Sequence, residues 1–434
     1  MLIHGWGRHP VIDAQVQTPP TASSLHAMLK RSDHTVIARG MGRSYGDSAL
    51  APHVISTSSL NLLLDFDRDT GTVRCAAGVT LAELLDVFVP QGWFLPVTPG
   101  TKFVSVGGAI ASDVHGKNHH LDGCFSEYVD SFLLLLASGD TVTCSRASHP
   151  ELFHATCGGM GLTGIIVEAT LRLKPVQSSL IDQVTYKAAN LAEALALFDA
   201  HHAAPYSVAW IDCLTTGEAM GRSLLMLGNH TTGGDLSSKK KRALSVPVDM
   251  PSALLNRYSI QAFNSLYYSR VQKNGVRQQV HYEPFFYPLD GIHQWNRLYG
   301  KRGFTQYQFA LPKVSGTAGM TAILKKISAS GRGSFLAVLK AFGRENANLL
   351  SFPIEGYTLA LDFKLEDGLF QMLDELDAMV LDHGGRIYLT KDVRMSEATF
   401  KRSYPRWETF QQVRSQYGAR GRFASRQSQR LGMD

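Results

Sequence analysis

Val36-Ile37-Ala38-Arg39-Gly40-Met41-Gly42-Arg43-Ser44-Tyr45-Gly46-Asp47 reads as a β run that opens into a loop with glycines at 40, 42 and 46. Where no Cβ intrudes, successive backbone N–H groups stay exposed and can cradle a pyrophosphate. The spacing is neither Gly-x-Gly-x-x-Gly opening a long helix nor a Walker loop, which disfavours a Rossmann nicotinamide site. Two further stretches extend the pattern. One comprises Pro99-Gly100-Thr101, then Ser105-Val106-Gly107-Gly108-Ala109-Ile110-Ala111-Ser112, then His115-Gly116-Lys117-Asn118-His119-His120. The other, Gly158-Gly159-Met160-Gly161-Leu162-Thr163-Gly164-Ile165-Ile166, feeds an apolar strand that ends near Lys174-Pro175. Small residues at this density let a backbone approach a large planar ligand closely.

Outward from these loops, the first ~175 residues alternate short β-like runs with amphipathic helices, whereas the middle is richer in aromatics and alternating strands. That shift divides the chain into domains, as its 434 residues also suggest. Thr80 and Glu83 make a capping box for a helix whose stripe is Leu81, Leu84, Leu85 and Phe88, with Pro90 as its stop. A second helix begins at Asn190, with Glu193 at its third position. A third spans about Glu366 to His383 and stops at Gly384-Gly385. Phe304 to Phe309 alternates so that Gln306 and Gln308 share one face while Tyr307, Phe309 and Leu311 share the other, a strand with a polar cavity side and a core side. Phe335 to Phe342 is apolar except for Lys340, whose ammonium needs an anionic partner or an edge from which to snorkel.

Hydrophobic residues at 44% and charged residues at 18% mark a soluble globular chain rather than a disordered one. The net charge of +6 is spread without helix-turn-helix, RNP or zinc-finger spacing, so no nucleic-acid partner is expected. The one basic run, Lys239 to Arg242, reads as a solvated loop or as a contact for an anionic membrane surface. Five cysteines without a CxxC pair argue against a disulfide framework and a zinc site, and no metal is expected. Met1 to Pro10 lacks a signal-peptide pattern and the longest apolar run, Phe132 to Ala137, cannot span a bilayer. The expected location is the cytoplasm or the periphery of the inner membrane.

In order and spacing, the three glycine stretches resemble the PCMH-type FAD-binding domain of the vanillyl-alcohol-oxidase superfamily. The likeness extends over nearly the whole chain to the branch that oxidises prenyl-phospho-riboses, through Phe304 to Phe309, Ser351-Phe352-Pro353-Ile354 and Lys391-Asp392. It implies an α+β fold: a two-subdomain PCMH-type FAD-binding domain over residues 1–178, a substrate domain of antiparallel sheet with flanking helices over 179–385, and a return to the FAD domain over 386–434. It implies FAD contact by Ala38, Arg39, Gly40, Met41, Gly42, Arg43, Ser44, Tyr45, Gly46, Asp47, Gly100, Ser105, Val106, Gly107, Gly108, Ser112, His115, Asn118, Ile166 and Tyr388. Several relatives attach FAD through a histidine at the position of Arg43, so here the flavin is expected to be non-covalent.

The same resemblance implies oxidation at the 2'-carbon of a polyprenyl-phosphate-linked ribose, with a separate NAD(P)H-dependent short-chain reductase as partner. Tyr45, His115 and Lys117 then belong to the flavin-facing pocket, Gln306, Gln308 and Lys340 to the substrate strands, and Lys391 to both. Strict alternation would put Tyr388 and Lys391 on opposite faces, so the strand from Arg386 must end or bend near Thr390. Spacing does not rank Tyr45, His115 and a lysine of lowered pKa as general base. His119 and His120, in the same loop, are expected at flavin or substrate. Two departures border the expected pocket. Thr358-Leu359-Ala360-Leu361-Asp362 stands where relatives have Asn-Ile-Cys-Val-Asp, and Arg426 follows Phe423-Ala424-Ser425 where they often have Asp. The competing functions are a sugar-alcohol or aldonolactone oxidase using oxygen, and a non-enzymatic flavin-binding scaffold for a reductase.

Overall fold

A computed structural model describes residues 1–236 and 244–434, so Lys239 to Arg242 lie outside the described residues. The first glycine stretch leaves the end of a small parallel sheet ordered Gln15–Gln17, His53–Ser56, Ile37–Arg39. The far end of the chain joins this sheet: Val36 bridges Phe423, its N–H donating to Arg422 O at 3.0 Å while Ala424 N–H donates to Val36 O at 3.1 Å. Beside it lies a five-stranded antiparallel sheet in the order Thr141–Ser145, Val129–Leu135, Ile165–Arg172, Thr72–Ala76, Leu63–Asp67. The Leu81–Phe88 helix shows why the local sequence folds as it does. Thr80 and Glu83 close the capping box, and Leu81, Leu84, Leu85 and Phe88 are all buried, each contributing roughly 1.5–3 kcal/mol. Pro90 does not stop the chain's winding but sits inside the 3-10 turn Val89–Gln91, where its missing N–H costs nothing.

The centre is an eight-stranded antiparallel sheet ordered Val276–His281, Leu180–Ala188, Ser223–His230, Tyr206–Ile211, Ala337–Phe342, Gly356–Lys364, Phe304–Pro312, Arg386–Ile387. Three helices, Leu191–Ala200, Lys313–Ser330 and Leu369–Asp382, cover one face. The third starts later than its apolar pattern suggests, because Gly368 takes a left-handed φ of 75°. Alternation along Phe304–Pro312 sends Tyr307, Phe309 and Leu311 to the helices, where Tyr307 OH donates to Asp377 at 2.9 Å. Gln306 and Gln308 face the other way, towards the glycine loops. One hydrophobic cluster runs without a break from Val73 and Leu134 to Leu339 and Leu361, fixing the two large sheets against each other.

Candidate active site

A cavity of about 660 Å³ separates the glycine loops from the open face of the central sheet. Ala38, Gly40, Met41, Gly42, Arg43, Ser44, Tyr45, Gly100, Ser105, Gly107, Gly108, Ser112, His115, Ile166 and Tyr388 line it, with Lys117, Gln306, Gln308, Lys340 and Lys391. The glycine wall is made for close approach. A side chain at Gly40 would run into Ser105 Oγ, and a Cβ at Gly107 would press on Ala77 at 3.0 Å. The backbone amides of Met41, Gly42, Arg43 and Ser44 donate to no acceptor among the described residues. Four consecutive unclaimed N–H groups beside a cleft suit a phosphate chain.

Five residues expected at the cofactor stand behind this wall instead. Arg39 is spent on the backbone, donating to His4 O at 2.7 Å and Ala49 O at 3.3 Å. Gly46 is needed because a Cβ there would overlap the Asp392 carbonyl. Asp47 accepts from Arg430 at 2.8 Å, Val106 is core, and Asn118 donates to Pro96 O and Asp122 at 2.8 and 2.6 Å. His119 and His120 also miss the cavity. The first accepts the Gly343 N–H at Nδ1 (3.2 Å) and the second pairs with Ala204 O at 2.9 Å, so both join the loop to the central sheet. Arg426 is exposed at the start of the Arg426–Arg430 helix and lines nothing.

On the sheet wall, register does the positioning. Gln308 opposes Ala360, Ala360 opposes Val338, and Val338 opposes Trp210, giving one cross-sheet row on a common face. In the neighbouring row Lys340 opposes Thr358. The strand Arg386–Ile387 is shorter than its apolar run: Lys391 N–H and Asp392 N–H both donate to Tyr388 O, at 3.0 and 3.1 Å. That turn brings Tyr388 and Lys391 to the same cavity. It is held from both sides, by Tyr45 N–H to Thr390 O at 3.0 Å and by Arg430, which bridges Asp47 and Asp392 at 2.8 and 2.9 Å.

Electrostatics crowd the polar end. Desolvation, and then the charge of Lys340, lowers Lys117 to about 7, and its Nζ donates to Phe285 O at 2.6 Å. Desolvation alone takes Lys340 to about 8. It lowers Lys391 to about 7 against the opposing pull of Asp362, and the Lys391 ammonium lies 3.9 Å from the centre of the Tyr45 ring. Burial pushes Tyr45 well up and His115 well down from their usual ranges. Gln308 Nε2 lies 3.1 Å from His115 Nε2 and 3.3 Å from Thr358 Oγ1, whose own proton goes to Phe309 O. An amide N–H₂ toward both makes His115 Nε2 an acceptor and leaves the proton on Nδ1, which is buried without a protein partner.

Sequence reasoning missed two features. Asp362 is fully buried, accepts from Gln306 at 2.6 Å and Tyr299 at 3.3 Å, and is raised by burial to about 7. Its signal was the period-two series Thr358, Ala360, Asp362. The other is an apolar end built from Trp210, Met226, Phe263, Tyr267 and Phe335, with Trp210 and Tyr267 rings 4.8 Å apart. These residues come from two strands, a helix and the segment leading into Ala337–Phe342, and carry no local motif.

A glycine wall of unclaimed amides facing a wall of amines and amides defines a flavin-dependent oxidoreductase, and the residues present fit FAD. Residues 12–145 match the family described as FAD binding domain. The chain is 36% identical to decaprenylphosphoryl-beta-D-ribose oxidase of Mycolicibacterium smegmatis over 98% of this chain and 96% of that protein. It is 31% identical to an uncharacterized protein in the mprA 5' region of Streptomyces coelicolor, over 82% of this chain and all of that one. A putative D-arabinono-1,4-lactone oxidase of Neurospora crassa is 29% identical over 37% of this chain and 29% of its own length. The chain belongs to the decaprenylphosphoryl-β-D-ribose oxidase family, and its cofactor is FAD.

Proposed function

We propose that the protein oxidises the 2'-hydroxyl of a polyprenylphosphoryl-β-D-ribose to the 2'-keto sugar, the first half of an epimerisation to the arabinose compound. The observation that supports this most is the gradient along the sheet wall. Gln308, Thr358 and Lys340 lie towards the polar end, and Trp210, Met226 and Tyr267 make the other. A phosphorylated sugar with an apolar chain would meet matching chemistry at each end. Bound FAD, held non-covalently because Arg43 replaces a linking histidine, supplies the hydride acceptor.

The protein's own groups then divide the remaining work. Tyr45 holds its phenolic proton too tightly to serve as base, and His115 is fixed as an Nδ1–H donor. Lys391, partly neutral near pH 7, takes the hydroxyl proton on Nζ. Lys340 keeps its charge to about pH 8 and holds the phosphate, while Lys117 is tethered to Phe285 O. Gln306 donates its amide to Asp362, which leaves Oε1 for a sugar hydroxyl.

Completing the epimerisation needs reduction of that ketone, which we assign to a separate NAD(P)H-dependent short-chain reductase as partner. We divide the chain into a FAD domain (1–178), a substrate domain (179–385) and a returning segment (386–434). No helix among the described residues is long and apolar enough to cross a membrane, and a lipid-linked substrate calls for peripheral contact at the inner membrane. The experiment is turnover of a short prenyl-phospho-ribose beside soluble alditols, with the product identified by mass. A product lighter by two hydrogens is expected. Turnover confined to alditols would assign a sugar-alcohol oxidase instead, and reduction by neither would leave a flavin-binding scaffold.

A further inference from the structure

We propose that the Arg257–Ser269 helix is the face on which the protein rests against an anionic lipid bilayer, so that the apolar end of the cavity opens at the membrane. The proposal rests on the prenyl-phosphate reading of that cavity. The helix is firmly built: Asn256 accepts the Tyr258 and Ser259 N–H groups, and the Ser259 side chain returns the bond to the cap. Its inner side is pinned to the sheet by buried Ile260 and by Asn264, which donates to Asp212 at 2.8 Å. Phe263 and Tyr267 reach the cavity.

Its outer side is left without a protein partner among the described residues. Tyr258 is 80% exposed and Leu266 74%, with exposed Ala262 midway between them at helical spacing, and Leu254 just before the cap is 56% exposed. A single exposed apolar residue is ordinary, but a stripe of them on the outer side of a helix whose Phe263 and Tyr267 line the cavity is not. Charge selects the occupant. Residues 250–280 contain Arg257, Arg270, Lys273 and Arg277 and no Asp or Glu. None of these four cations makes an ion pair with a described residue, and Arg270 stacks 3.8 Å from the Tyr267 ring. Uncompensated cations around an aromatic and aliphatic stripe are what an anionic interface holds, through both apolar insertion and surface potential.

The test uses the full FAD-loaded protein and sedimentation with phosphatidylcholine vesicles, with and without phosphatidylglycerol. The wild type is expected to bind the anionic vesicles. The double variant Tyr258→Glu/Leu266→Glu should lose at least about tenfold in partition, as should the milder Leu266→Ser in part. Val314→Glu, at a 97% exposed position on another helix, should bind as the wild type does. Equal partition of wild type and double variant, or indifference of the wild type to anionic lipid, would overturn the proposal. So would self-association of the wild type that the double variant abolishes without any lipid effect, since the face would then serve a second copy. Turnover of a water-soluble short-chain substrate should be the same in wild type and double variant. If neither turns it over, the substrate reading fails while the vesicle comparison still decides the surface.

Discussion

The two walls of the cavity are built on different terms. The glycine wall is specified by backbone: which residues lack a Cβ, and which amides are left unclaimed. The sheet wall is specified by side chains whose position follows from register and whose chemistry depends on a charged neighbour. Errors in the first should therefore empty the site, whereas errors in the second should leave a loaded but slow enzyme.

Gly46→Ala undercuts the first wall from behind most severely, because the new Cβ meets a carbonyl of the Lys391 turn rather than a mobile side chain. A loss of about 3 kcal/mol or more is expected, seen as a lower midpoint in denaturant unfolding and colourless purified protein. Lys391→Met tests the second wall. Flavin content should be kept while turnover falls about 10²- to 10⁴-fold. The same variant should flatten the pH dependence of stability. Lys391 is lowered to about 7 when folded against its ordinary 10.5, so between those values the unfolded chain binds more protons and stability rises with pH; Met removes that contribution.

The contrast also explains what could be read from sequence. Glycine positions and the alternation at Gln306 and Gln308 are local patterns, and both put residues at the cavity. Arg39, Asp47 and Asn118 looked equally suited to a polar ligand, yet their hydrogen bonds are taken by His4 O, Arg430 and Pro96 O, partners distant in sequence. Which side of the chain Lys391 would face depended on a turn fixed by Asp392 and Arg430, beyond the reach of strand periodicity. Asp362 and the apolar end required the order of strands in the sheet.

The sheet wall can be probed more finely through pH. With a neutral Lys391 and a charged Lys340 both required, kcat/KM should rise through about pH 7 and fall through about pH 8. Asp362→Asn should lower kcat about tenfold and move the rising limb to lower pH, because the carboxylate is what holds the Lys391 value up. A fall in kcat with an unmoved profile would limit Asp362 to a packing role. The smallest effect is expected at Ala360, on the cavity wall in the row between Gln308 and Val338. Ala360→Cys should change turnover by less than about threefold while making the site open to thiol reagents that leave the wild type unlabelled.

The most direct measurement is anaerobic mixing of the yellow protein with a short prenyl-phospho-ribose and, separately, with its 2'-deoxy analogue. Bleaching of the flavin absorbance by the ribose compound alone is the expected result. Equal bleaching by both, or by neither, would contradict oxidation at the 2'-hydroxyl.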